Sequence, residues 1–206
     1  AAHDVVALEL QKFDLAFSNW RDDSEIAKVN AHRSVAPIEV SERFAAVLQT
    51  ALRVAAATDG AFDPTVKPLS DLYRSAKAAP DEPLAEAALA EAAALVDHQL
   101  VTVDGLQLVK ARPDVQLDLD GVVAGAAADR IGAHLEHLGV TSFYLQITGE
   151  VLCRGCKPDG SPWRIGVVDP TSSAGDQAAV AALPLRDAAL CSSGDYRNQA
   201  VVDGAV

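Results

Sequence analysis

Residues 115–125 read Val-Gln-Leu-Asp-Leu-Asp-Gly-Val-Val-Ala-Gly, and a change of period inside this stretch decides the fold class. Val115, Leu117 and Leu119 alternate with Gln116, Asp118 and Asp120, as the two faces of a strand alternate. From residue 122 to 138 the apolar positions recur at helical spacing, and Gly139 stops the pattern. A strand is expected again over residues 143–147, so strand, turn, helix and strand follow one another. The expected class is α/β of the α+β type, with mixed sheets flanked by helices. The turn itself carries chemistry. At Asp118-Leu119-Asp120-Gly121 a strand end feeds a helix whose first turn holds Gly125, and the N–H groups and positive dipole end of a helix start attract an anion such as phosphate. Gly121 and Gly125 lack the G-x-G-x-x-G spacing of a dinucleotide fingerprint. An ordinary strand-to-helix turn, with glycine serving only backbone geometry, is the alternative reading of the same residues.

Upstream, residues 5–17 carry apolar positions at mixed, broadly helical spacing and lead into Ser18-Asn19-Trp20. Ser24-Glu25 reads as an N-cap with an acidic first turn, opening a short helix that ends near Asn30. Ser41-Glu42 opens a longer helix with Phe44, Val47, Leu48, Ala51, Leu52 and Ala55 on one face, closed by Gly60. Gly60-Ala61-Phe62-Asp63-Pro64-Thr65 is a turn. Residues 76–83 are the most linker-like stretch, and the Ala-rich run 84–95 is a helix. Residues 99–110 alternate around Asp104-Gly105, the strongest hairpin signal in the chain. Short strands are expected at 151–154, 163–168, 180–185 and 189–191.

With 206 residues, half of them hydrophobic, the chain is sized for one globular unit, read here as a single domain over 1–206. It holds no uncharged apolar run of about eighteen residues and no intact signal peptide, although a leader removed beforehand is compatible with its start. A net charge of -12 repels phosphate backbones, and no Lys/Arg cluster offsets it, so nucleic acid is not an expected partner. By the same argument, a diphosphate ligand needs an intervening cation, for which Mg²⁺ is the natural candidate. Cys153, Cys156 and Cys191 are too few for a disulfide framework, and the C-x-x-C spacing of the first two lies on an apolar strand without a second pair. His134 and His137 share a helix face without a matching third ligand, the pattern of a solvated surface rather than a zinc site.

Taken in order, a set of short segments resembles the ApbE family of FAD:protein FMN transferases along nearly the whole chain. They are Ser18-Asn19-Trp20-Arg21 through Ser24-Glu25-Ile26 and Asn30, the turn Gly60-Ala61-Phe62-Asp63-Pro64-Thr65, and Asp118-Leu119-Asp120-Gly121-Val122-Val123-Ala124-Gly125 followed by Asp129. Thr148-Gly149-Glu150, the stretch 155–160, Trp163-Arg164-Ile165-Gly166 and Ser192-Ser193-Gly194-Asp195-Tyr196-Arg197 complete the order. The resemblance implies FAD held in a cleft with its diphosphate bridged by Mg²⁺. It also implies transfer of the FMN half to a Ser or Thr hydroxyl of a target flavoprotein. It places FAD contacts at Trp20, Ala61, Phe62, Asp63, Asp118 and Ala124, and a metal-ligating backbone carbonyl at Gly121. It names no catalytic base. An indole offers a face to a flavin or adenine ring, and the two aspartates offer acceptors to ribityl or adenine groups. Trp20 and Phe62 as core residues, and Asp63 as a turn former before Pro64, are the alternative readings.

The family pattern is departed from at Ala124, where Lys or another polar residue is usual, and at Ala126, where an aromatic is common. The family's opening strand and its C-terminal His-Ile-Ile-Asp-Pro segment, with the Asp/Thr pair that ligates Mg²⁺, are expected to be missing, making the sequence a shortened form. The alternative to a transferase is therefore a non-catalytic relative that binds flavin or a protein partner. A role as acceptor of covalent FMN is disfavoured, since Asp203-Gly204-Ala205 only partly echoes a Ser/Thr-Gly-Ala-Ser/Thr acceptor. The resemblance further implies a place in the periplasm or on the outer face of the bacterial cytoplasmic membrane, often as a lipoprotein whose lipid anchor lies outside this chain.

Overall fold

A computed structural model describes residues 2–78, 84–170 and 179–193. In chain order the helices are α1 (Ala2–Phe17), α2 (Glu25–Ala31), α3 (Glu42–Ala57), α4 (Lys67–Ala78), α5 (Glu86–Ala93) and α6 (Asp120–His137). The strands are β1 (Ile38–Glu39), β2 (Val101–Asp104), β3 (Gln107–Lys110), β4 (Phe143–Ile147), β5 (Glu150–Arg154), β6 (Trp163–Val168), β7 (Ala179–Leu185) and β8 (Ala188–Leu190). The strands form three small sheets, β1-β3-β2, β4-β5-β8 and β6-β7, and every strand pairing among the described residues is antiparallel. The class is α+β. None of the described helices is long and apolar enough to cross a membrane.

Among the described residues the chain divides into two compact units, one made of Gln11–Val123 and the other of residues 2–10 with 124–170 and 179–193. In the Gln11–Val123 unit both predicted caps form. Ser24 Oγ accepts from Ala27 N, and Ser41 Oγ accepts from Phe44 N, each at 3.2 Å. The two caps are also joined: the Glu25 carboxylate accepts from Ser41 N at 2.6 Å and from Ser41 Oγ at 2.7 Å. α3 buries Phe44, Val47, Leu48, Ala51 and Ala55, the i, i+3, i+4, i+7 stripe of a core-facing helix. Phe44 stacks on Phe17 with centroids 5.4 Å apart. Gly60, at φ +79°, takes the chain off the helix while its N–H bonds Ala55 O at 2.9 Å. The hairpin predicted at Asp104-Gly105 is β2–β3, in register Asp104↔Gln107 and with Gly105 at φ +56°.

Two expectations need correction. Residues 115–119 form no strand. Side chains and a turn satisfy their backbone instead: Asn30 bonds both the C=O and the N–H of Leu117, Lys110 Nζ donates to Val115 O, and Asp118 N donates to Pro64 O. Alternation reports burial on one side, which Val115, Leu117 and Leu119 have, and does not require a ladder. Residues 76–78, read as the start of a linker, belong to α4, where Ala and Lys are good helix formers. Residues 79–83 of that stretch lie outside the described residues, as do Gly194, Asp195, Tyr196 and Arg197 of the last motif and Asp203-Gly204-Ala205.

In the other unit, Ala128, Ile131 and Leu135 of α6 pack against Phe143 of β4 and Leu152 of β5, with Val6 and Val140 at the margin. Gly132 gives room to this approach: a Cβ there would sit 2.8 Å from Leu152 Cδ2, so that side chain would have to shift. Cys153 is buried on β5, where burial pushes its thiol up, and all three cysteines are free.

Candidate functional site

The Gln11–Val123 unit brings together the three segments that carry the sequence signals: residues 18–20, the turn 60–65, and 117–121. Asp118 joins them. Its N–H reaches Pro64 O at 2.8 Å, its Oδ1 accepts from Asp120 N at 3.0 Å at the start of α6, and its Oδ2 faces Arg74 at 3.3 Å. The side chain is only 8% exposed, so its carboxylate is a fixed acceptor rather than a mobile one. Asp120 Oδ1 accepts from Asn19 Nδ2 at 2.9 Å, which ties the residue before Trp20 to the start of the helix. Partial desolvation, and then the neighbouring Asp118 carboxylate, push the Asp120 carboxyl above the ordinary aspartate value; Asn19, Arg74 and Lys67 act in the other direction.

Trp20 stands 88% exposed, so it is not core. Its indole is presented to solvent. Phe62 is half-buried with its ring edge on Gly121, so the aromatic turn and the helix start touch. Ala61 is exposed at the tip of the same turn. Asp63 has an internal role that the sequence offered only as its alternative reading. Its Oδ1 accepts from Thr65 N at 2.8 Å and from Thr65 Oγ1 at 2.6 Å, and its Oδ2 accepts from His98 N at 2.8 Å. Thr65 Oγ1 in turn accepts from Asp97 N at 2.8 Å. Asp63 therefore fixes the turn that presents Phe62, with both carboxylate oxygens already engaged. Ala124 follows on α6 and is half-buried; its methyl offers no hydrogen bond.

Asn19, Arg74 and Asp120 join the site although the sequence reading assigned them no role there. Lys67, Asp71 and Arg74 carry the i, i+4, i+7 alternation of charge that marks a salt-bridged helix face, and they do form that chain: Lys67 Nζ to Asp71 at 2.9 Å and Arg74 to Asp71 at 2.9 Å. That pattern gave no sign that Arg74 also reaches Asp118. Gly121 lies in the first turn of α6, where a carbonyl points along the axis toward the next turn. Among the described residues no group of three or more His, Cys, Asp or Glu could hold a metal ion. An exposed aromatic side chain at Trp20, the half-buried Phe62 ring and the buried Asp118 carboxylate lie in one unit with the start of α6.

A chain of α+β class with this turn-to-helix site matches a known family. The ApbE family model covers residues 2–205, and the chain belongs to that family. It is 34% identical over 207 residues to the FAD:protein FMN transferase of Salmonella typhimurium, covering 97% of this chain and 58% of that protein. It is 33% identical over 201 residues to the protein of the same name from Haemophilus influenzae, covering 95% of this chain and 58% of the relative. The solved flavin transferase ApbE from Vibrio cholerae superposes with a TM-score of 0.85 at 30% identity, over 96% of this chain and 64% of that one. The chain thus spans somewhat over half the length of the curated relatives it matches.

Proposed function

We propose that this chain acts as an FAD:protein FMN transferase, binding FAD and passing its FMN half to a Ser or Thr hydroxyl of a target flavoprotein. The observation that carries the reading is the convergence of Phe62, Asp118 and Gly121 at the start of α6, to which Asn19 ties the segment carrying Trp20, in a chain of the ApbE family. In the reaction the acceptor oxygen forms a bond to the phosphorus on the riboflavin side, the bridging P–O bond breaks, AMP leaves with that electron pair, and the hydroxyl proton passes to solvent. Such a transfer needs positioning and charge neutralisation more than covalent chemistry from the protein. Trp20 supplies a face for one ring system, Phe62 packs the floor beside Gly121, and Asp118 accepts from a ribityl or adenine donor. Ala61 and Asp63 contribute through the turn, whose shape Asp63 fixes, and Ala124 through contact alone.

A Mg²⁺ requirement is part of the proposal, with the Gly121 carbonyl as one ligand. So is a location in the periplasm or on the outer face of the cytoplasmic membrane, where the partner flavoprotein would be met and a lipid anchor outside this chain would hold the enzyme. The deciding experiment is calorimetric titration with FAD, with and without Mg²⁺, followed by mass spectrometry of a Ser/Thr-Gly-Ala-Thr acceptor peptide incubated with the loaded protein. Metal-dependent binding with an FMN adduct is the expected result. Binding without an adduct would instead make the chain a non-catalytic flavin-binding relative.

A further inference from the structure

The approach to the site, residues 115–119, is held in place without a sheet. Where a neighbouring strand would lie, Asn30 of α2 stands in for it. Its Nδ2 donates to Leu117 O at 2.9 Å and its Oδ1 accepts from Leu117 N at 2.7 Å, the two bonds that one residue of a strand partner would make. The oxygen of Leu117 and the nitrogen of Asp118 belong to one peptide group, which is planar. Asn30 holds that group by its oxygen, and Pro64 O holds it by its nitrogen, at 2.8 Å. In a trans peptide the oxygen and the N–H point to opposite sides, so the plane is clamped from two directions and its rotation is blocked. The clamped plane leads directly into Asp118, whose Oδ1 then meets the first N–H of α6. Asn30 is itself 6% exposed, so water does not compete readily for these bonds.

We infer that Asn30 is a positioning residue for flavin binding: its carboxamide orients the Leu117–Asp118 peptide, and through it the Asp118 carboxylate and the start of α6. Asn30 touches no ligand and acts through Asp118. The inference rests on the flavin-transfer reading, because it assumes that FAD is what the Asp118 region receives. A general contribution to stability would predict a different pattern of effects, since loss of packing elsewhere on α2 would then do the same harm.

The test is a double-mutant cycle read as FAD affinity by calorimetry, with Mg²⁺ present, at a temperature where circular dichroism shows each variant folded. Asn30→Ala is expected to weaken FAD binding about tenfold in the wild-type background and less than about twofold in an Asp118→Ala background, the non-additivity of two residues acting through one contact. Val29→Ala, a destabilising change on the same helix, is expected to keep wild-type affinity. Should Asn30→Ala not fold, Asn30→Asp replaces it, keeping the acceptor for Leu117 N–H while losing the donor. Equal losses in both backgrounds, no loss from the Asn30 variant, or the same loss from Val29→Ala overturns the inference while leaving the flavin-transfer reading intact. Absence of FAD binding by the wild-type chain overturns both.

Discussion

The edge of the Phe62 ring lies so close to Gly121 that a methyl group on Gly121 would meet Cε2 at 3.0 Å. Two motifs distant in sequence are thereby fitted to each other, and the absence of a side chain on Gly121 is what allows the fit. Gly121→Ala gains roughly 0.5–1 kcal/mol of helix propensity and loses about 1 kcal/mol to crowding. Urea unfolding is expected to show little net change, while FAD affinity falls because Phe62 must move. Gly125, where an added methyl would have nothing within 4 Å, is the control. Gly125→Ala is expected to raise the urea midpoint by about 0.5–1 kcal/mol of stability.

Trp20 is exposed, and the proposed function gives it a part in binding rather than in the fold. Trp20→Ala is expected to leave unfolding free energy within about 0.5 kcal/mol of wild type, as for other exposed positions. FAD binding should weaken about tenfold, on the scale of a lost aromatic stack. The chain has two tryptophans, and Trp163 of β6 donates its Nε1–H to Arg154 O of β5. Quenching of indole fluorescence on adding FAD should therefore be largely lost in Trp20→Phe, which checks the stacking directly.

Gly132 tests the packing of α6 on β5. Gly132→Ala places a methyl 2.8 Å from Leu152 Cδ2 and 3.5 Å from Phe143 Cζ. The expected cost is about 1–3 kcal/mol in denaturant unfolding, the range for overpacking a filled core. Leu152→Val made in the Gly132→Ala background should recover part of it, because the clashing atom is the one shortened.

Lys110 is 1% exposed, and its ammonium donates to Val29 O at 3.2 Å, His32 O at 2.5 Å and Val115 O at 3.1 Å. Burial, and then the Arg33 charge, push its pKa below the ordinary lysine value, against Asp114. The unfolded chain thus binds the more protons between the folded and unfolded pKa values, so stability rises with pH through that alkaline window and is lost as pH falls through the folded value. Lys110→Met should remove this slope from a series of denaturant melts at increasing pH. At neutral pH the same variant should cost roughly 2–3 kcal/mol, since two buried carbonyls and one part-buried carbonyl lose their donor.

Ser41 joins two helices through one hydroxyl, accepting from Phe44 N while donating to Glu25. Ser41→Ala should cost about 1–2 kcal/mol by urea denaturation, at the upper end for a lost N-cap. Glu25→Gln is expected to cost less, because an amide oxygen still accepts from Ser41 N.

Local signals were legible in the sequence wherever one short segment holds its own answer. The Asp104-Gly105 hairpin, the capped and striped α3, and the strands Phe143–Ile147 and Trp163–Val168 all follow from periodicity and turn chemistry. The family segments likewise pointed to the turn at Phe62 and the helix start at Gly121. Relations between segments stayed hidden. Alternation at 115–119 could not disclose that the pairing partner is an asparagine side chain, and the charges of α4 could not disclose that Arg74 turns toward Asp118. Asp63 reads equally well in the sequence as ligand contact or turn former, and its bonds to Thr65 and His98 could not be foreseen there.

The residues that meet around Asp118 come from far apart: Asn30 with Leu117, Asn19 with Asp120 and Arg74 with Asp118 are separated by 87, 101 and 44 positions. No short excised peptide contains the site. A peptide spanning 115–125, or that loop grafted onto a foreign scaffold, would carry the signature letters without the amide, the turn and the cationic side chain that give them a shape. Whatever this protein grips, it grips with its tertiary structure, and a motif search sees only the imprint.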